Sequence, residues 1–226
     1  MIAGLLPLGL LGALLGLDTV SFPQALLSRP LVAATLGGAL VGAPVDGLLM
    51  GAALELIALE TLPFGASRYP EWGSASAVGG ALFASFPAHP AGAMSLAMIA
   101  ALATAWVGGW TMVRLRQLNA RWAARSRSAL DAGARGAVIG LQLKGMTADL
   151  VRGFLLTILA WLAFEPLAEA SLALWTVDAR LSRAITVAIA TSVAAGAAWK
   201  LYHGSLTARW LFVAGLGVGF TVMVVR

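Results

Sequence analysis

The feature that most constrains this chain is how far apart its charges lie. Met1–Leu17, Pro30–Val45, Trp72–Val113, Gly153–Phe164, Ala184–Trp199 and Trp210–Val225 contain no Asp, Glu, Lys or Arg. A spanning helix needs about 20 mainly apolar residues. The runs therefore predict an all-α, polytopic membrane protein with several transmembrane helices. Several runs are short for a simple span, so they must recruit flanking residues, tilt, or enter and leave on the same side. Composition agrees: 60% of residues are hydrophobic and 11% charged, against about 25% charged in a typical soluble domain. Such a chain could not cover its own surface with polar groups. An ordinary soluble enzyme, a disordered chain and a nucleic-acid-binding domain are excluded, despite a net charge of +5 and a pI near 10.7. The basic excess instead marks loops kept in the cytoplasm. The 226 residues fit one unit, residues 1–226, by a prior of roughly 100–200 residues per domain.

The apolar N-terminus has no Lys or Arg before Asp18 and no small-residue cleavage site, so it is expected to stay as a membrane segment. Cysteine is absent, which removes disulfides, thiolate metal sites and thiol nucleophiles. With only His89 and His203 as histidines, no metal site and no cofactor are expected. His89, between Pro87 and Pro90, is expected in a loop. His203, near Lys200 and Arg209, is expected at the membrane interface.

Charge is divided unevenly. Before residue 114 there are two basic residues (Arg29, Arg68) and five acids (Asp18, Asp46, Glu55, Glu60, Glu71). The stretch Arg114–Arg135 then holds six arginines and one acid, Asp131. It reads as a solvated loop or surface helix on the cytoplasmic side, with anionic lipid as an alternative partner. Trp106, Trp110 and Trp122 flank its start, as indoles do at interfaces. Asp149 and Arg152, three apart, predict an ion pair on one helix face. Lys144 is placed to snorkel.

The segment from Asp46 to Phe86 carries most information. Asp46-Gly47 is a turn signal, and Gly47–Leu62 predicts a helix about 24 Å long, ended by Pro63 and Gly65. A polar bend, SRYPEWGS, and a short apolar segment, Gly73–Phe86, follow. Two short arms around a polar tip predict a re-entrant hairpin over about 46–86, two tilted spans being the alternative. Glu55, mid-arm among Leu54, Leu56 and Ile57, must face a polar cavity, find a partner or be protonated. Glu60 lies about 140° from it around the helix, so the two do not share a face; an ion pair suits Glu60 better.

The stretch Leu17–Ala66 also resembles the start of the membrane IIC subunit of mannose-type (mannose/fructose/sorbose) sugar phosphotransferase systems. The likeness rests on Leu17-Asp18, Gln24, Ser28-Arg29-Pro30-Leu31, Asp46-Gly47, Leu54-Glu55-Leu56-Ile57 and Pro63-Phe64-Gly65-Ala66, with Pro70-Glu71 after them. The run LDAGARGAVIGLQLKGMTADLVRGFLLTIL resembles the family's second half. Glu60 stands where other members usually carry an uncharged residue. The resemblance implies a permease subunit that moves a hexose across the bacterial inner membrane, with no catalytic residue of its own. It implies a IID-type membrane partner, an oligomer, and separate soluble IIA and IIB subunits that supply the phosphoryl group. Asp18, Gln24 and Glu55 fall on positions that resemble the family's sugar-contacting residues. Carboxylates and amides suit that role, since they accept bonds from sugar hydroxyls. Two rivals stand beside this reading. One is an ion-coupled secondary transporter using Glu55 as its ion site. The other is a non-transporting membrane regulatory subunit, kept in view because ending at Arg226 makes the chain short for the family.

Overall fold

The computed structural model describes residues 2–61, 68–202 and 204–225. The Pro63-Phe64-Gly65-Ala66 element and His203 fall outside the described residues. Those described form α-helices with no strand: α1 (Ile2–Val20), α2 (Pro30–Leu40), α3 (Pro44–Ala58) with a 3-10 turn at Leu59–Thr61, α4 (Trp72–Ala84), α5 (Ala93–Arg125), α6 (Arg127–Asp131), α7 (Arg135–Ala173), α8 (Ala179–Tyr202) and α9 (Leu206–Val225). The all-α expectation holds. Ala93–Arg125, Arg135–Ala173 and Ala179–Lys200 are long and apolar enough to cross a membrane, and Leu5–Val20, Pro30–Leu40 and Leu206–Gly219 are shorter apolar helices. The chain is a multi-pass membrane protein.

The centre of the bundle is α4. Every residue from Gly73 to Phe83 is buried, and α4 packs against α1, α2, α3, α5 and α7. Its composition, mostly Gly, Ala and Ser, lets five neighbours approach closely. The same logic seats α2 on α3. A Cβ on Gly38 would lie 2.7 Å from the Cα of Gly47, so the two backbones touch where both lack side chains.

Helix starts follow from proline and from one acid. Pro30 and Pro44 open α2 and α3, where the missing N–H costs nothing. Glu71 caps α4, accepting the Ser74 N–H at 3.1 Å. The turn expected at Asp46-Gly47 lies elsewhere. The chain reverses at Gly42, whose φ is +86°, and Asp46 sits in the first turn of α3. Pro44 sets that start, and an acid near a helix N-terminus is favoured by the helix dipole. The helix expected over Gly47–Leu62 accordingly begins earlier, at Pro44; its α-helical part ends at Ala58, a 3-10 turn runs on to Thr61, and Leu62 lies outside the described residues.

α3 and α4 form an antiparallel pair. His89, just beyond α4, lies in a loop as expected and pairs with Asp46 at 3.1 Å, so the open ends of the pair lie side by side. The 13 residues of α4 reach about 20 Å, short of the roughly 30 Å hydrocarbon core.

α5, with 33 residues, reaches about 50 Å, and α7 is longer still. Both exceed the hydrocarbon thickness, so each must leave it at one end. The arginine run forms those ends: it is helical almost throughout, as the last turns of α5, all of α6 and the start of α7. Trp106, 64% exposed, and Trp110 sit just before it on the outer surface. Lys144 lies over the Trp122 ring at 4.4 Å.

Candidate functional site

Asp18 and Glu55 both end in backbone N–H groups, and between them they shape one loop. Asp18 is 2% exposed at the end of α1. One carboxylate oxygen accepts the Ala25 N–H at 2.7 Å and the other the Ser28 N–H at 2.8 Å. The chain from Ser21 to Ser28 therefore wraps around a buried anion. Gln24 and Leu26 take left-handed backbone conformations within it. Gln24 donates its side-chain amide to Val20 O at 2.9 Å.

The far end of the loop is held by Glu55. Its carboxylate pairs with the Arg29 guanidinium and accepts the Leu31 N–H at 3.1 Å. A carboxylate at the N-terminus of α2 is favoured by the helix dipole and by the unpaired N–H groups there. Of the fates open to a mid-arm acid, Glu55 has found a partner. Glu60 has one too, Lys200 at 3.0 Å.

Between these anchors lies a cavity of about 330 Å³, lined among others by Asp18, Gln24, Ser28, Arg29, Tyr69 and Trp72. That is near the lower end of the ~300–1,000 Å³ range of small-molecule sites. Two of the three residues singled out from the sequence, Asp18 and Gln24, meet here. Glu55 does not line the cavity; it touches it through Arg29.

A second polar layer lies behind the loop. The Ser21 hydroxyl donates to Asp149 at 3.0 Å, and Asp149 receives the Arg152 Nε–H at 2.8 Å. This is the expected i,i+3 pair, but it is buried, with Asp149 1% exposed. Asp149 thus ties the loop to α7. Nearby, Glu71 Oε2 and Arg152 Nη2 are buried without a partner among the described residues.

Sequence reasoning missed Tyr69 and Trp72 as cavity residues. The signal was present in SRYPEWGS, an aromatic on each side of Pro-Glu, but it read as a polar bend. It also missed the Arg29–Glu55 pair.

One buried carboxylate, Asp18, an amide and two aromatic residues thus meet at a small cavity among the helices of a membrane protein. The sequence profile described as the PTS system sorbose-specific IIC component matches residues 2–225. The chain belongs to this family of phosphotransferase-system IIC components, the sugar-translocating membrane subunits. Among solved structures, it is similar to one described as "Structure of membrane protein", with a TM-score of 0.73 at 19% identity, covering 100% of this chain and 94% of that one. It is also similar to the mannose transporter ManYZ, solved by cryo-electron microscopy in complex with microcin E492. There the TM-score is 0.60 at 19% identity, covering 99% of this chain and 80% of that one. No curated protein sequence matches it significantly.

Proposed function

We propose that the cavity at the end of α1 is where this IIC subunit binds a hexose, and that residues 1–226 act as one membrane unit of the bacterial inner membrane. The observation that carries the reading is the convergence of Asp18 and Gln24 on one small cavity, with Glu55 joined to it through Arg29. Asp18 and Gln24 supply the acceptors and donors that hydroxyls need. Glu55 acts one step removed, holding Arg29 at the cavity wall. Around the buried Asp18, a site built this way discriminates against analogues that lack the matching hydroxyls.

In this reading the α3–α4 pair is the re-entrant hairpin, and the α5–α6–α7 arginine segment faces the cytoplasm. Sugar leaving on that side is phosphorylated by separate IIA and IIB subunits, and a IID-type subunit completes the membrane part. Similarity to the ManYZ fold supports a two-subunit membrane assembly.

The test is Glu55→Gln in cells that carry the full system. The amide keeps an acceptor for the Leu31 N–H but leaves Arg29 without its counter-charge. Uptake of sugar as its phosphate should fall by tenfold or more on breaking a charge-assisted pair of about 1.5–3 kcal/mol. Glu60→Gln, whose pair with Lys200 is exposed, should cost little. Wild-type uptake by Glu55→Gln would sink the site. Accumulation of unmodified sugar, abolished by a protonophore while phosphoenolpyruvate is plentiful, would show ion-coupled transport instead.

A further inference from the structure

Five arginines of the basic run are exposed, Arg114, Arg121, Arg125, Arg127 and Arg135, but Arg116 is half-buried. Its Nη2 donates to the Tyr69 hydroxyl at 2.8 Å. Its guanidinium carbon also lies 5.1 Å from the Tyr69 ring centroid. Tyr69 is a wall of the cavity, together with Trp72.

The segment carrying Tyr69 is strapped to α5 at several other points. The Arg68 guanidinium lies over the Trp106 ring at 4.8 Å. The Glu71 N–H donates to Ala105 O at 2.9 Å. The Tyr69 carbonyl packs so closely on Gly109 that no Cβ would fit there. One face of the Tyr69 ring is thereby committed to Arg116.

A cyclic hexose has two kinds of surface. Its rim of hydroxyls needs acceptors and donors, which Asp18 and Gln24 offer. Its C–H face is apolar and needs a flat apolar partner, and an aromatic ring supplies one with a polar handle to fix its orientation. An acyclic hexitol has one hydroxyl more but no rigid C–H face.

We propose that Tyr69, with Trp72, is the aromatic wall on which the ring face of the sugar packs, and that Arg116 is a positioning residue that acts through Tyr69. The aromatic wall selects cyclic sugars over acyclic polyols. This rests on the cavity being the sugar site, as proposed above.

The experiment is calorimetric titration of the full chain, purified with the membrane subunit it is expressed beside. D-Mannose, D-fructose and L-sorbose are titrated first, and the tightest binder is compared with D-mannitol. Tyr69→Leu should weaken the cyclic sugar about tenfold, the scale of a lost aromatic contact, while D-mannitol changes far less. The preference for the ring then collapses. Arg116→Gln should cost about fivefold, the scale of one hydrogen bond, and nothing more in the Tyr69→Leu background. Tyr69→Phe should match Arg116→Gln and keep the ring preference.

An unchanged ratio of cyclic sugar to D-mannitol in Tyr69→Leu overturns the aromatic wall. Equal losses from Arg116→Gln with and without Tyr69 overturn the positioning role. If Tyr69→Leu does not purify as a monodisperse species, Tyr69→Phe and Arg116→Gln carry the test. Their combined effect should not exceed either alone, and additive effects refute the coupling. Asp18→Asn separates the two readings. Loss of binding there with full retention in Tyr69→Leu removes only this inference. Unchanged binding in Asp18→Asn, or no binding of any of the three sugars by the wild type, removes the cavity reading itself.

Discussion

Replacing Asp18 by Asn is the most direct probe of how the loop is held. Both carboxylate oxygens accept backbone N–H groups, from Ala25 at 2.7 Å and Ser28 at 2.8 Å. An Asn side chain keeps one acceptor but turns an NH₂ group toward the other donor. One charge-assisted bond is lost and one part-buried N–H loses its partner, each worth about 1–3 kcal/mol. The two overlap, so the local cost is about 2–4 kcal/mol. At 1.4 kcal/mol per factor of ten, the loop should open about 30- to 1,000-fold more often. Amide hydrogen exchange reads this directly, because the two protected amides are the reporters. Exchange across residues 21–29 should accelerate by that factor, while amides of the buried α4 stay slow. Apparent sugar affinity should fall in step with the population of closed loop. Exchange at Ala25 and Ser28 within about threefold of the wild type would refute the anchoring argument.

Asp149→Ala should be far more damaging, by about 3–5 kcal/mol, because it leaves Arg152 buried without its counter-charge; thermal melting should show the drop, and adding Arg152→Met should recover much of it. Topology is tested with Ser126→Cys, which introduces the only cysteine in the chain. That residue should be shielded from impermeant thiol reagents in intact cells, and ready labelling from outside would reverse the assigned orientation.

The helices were largely legible because long uncharged runs have one solution in lipid. The start of α3 was misplaced because Asp-Gly signals a turn only where no helix already runs through it; Pro44 had already opened the helix. The arginine run was legible as charge but not as the ends of two long helices, since a solvated polar run carries no apolar stripe to reveal its period. At the site, Asp18 and Gln24 were placed by family resemblance. The Arg29–Glu55 and Ser21–Asp149 contacts span 26 and 128 residues, beyond the reach of any local periodicity. Tyr69 and Trp72 were hidden for a related reason. Whether an aromatic beside a bend faces a cavity depends on what the distant end of α1 brings to it.

The composition of α4 has a consequence for inherited variation. A methyl group on Gly80, the smallest side chain that can be added, would sit 2.6 Å from the Ala34 Cα. Gly→Ala adds no charge and no polar group, so scores built on those properties will pass it as silent. Here it pushes one backbone away from another. The most harmful single-letter changes in this gene will therefore include some of the least conspicuous ones, clustered in a helix with no charged residue to draw attention to it.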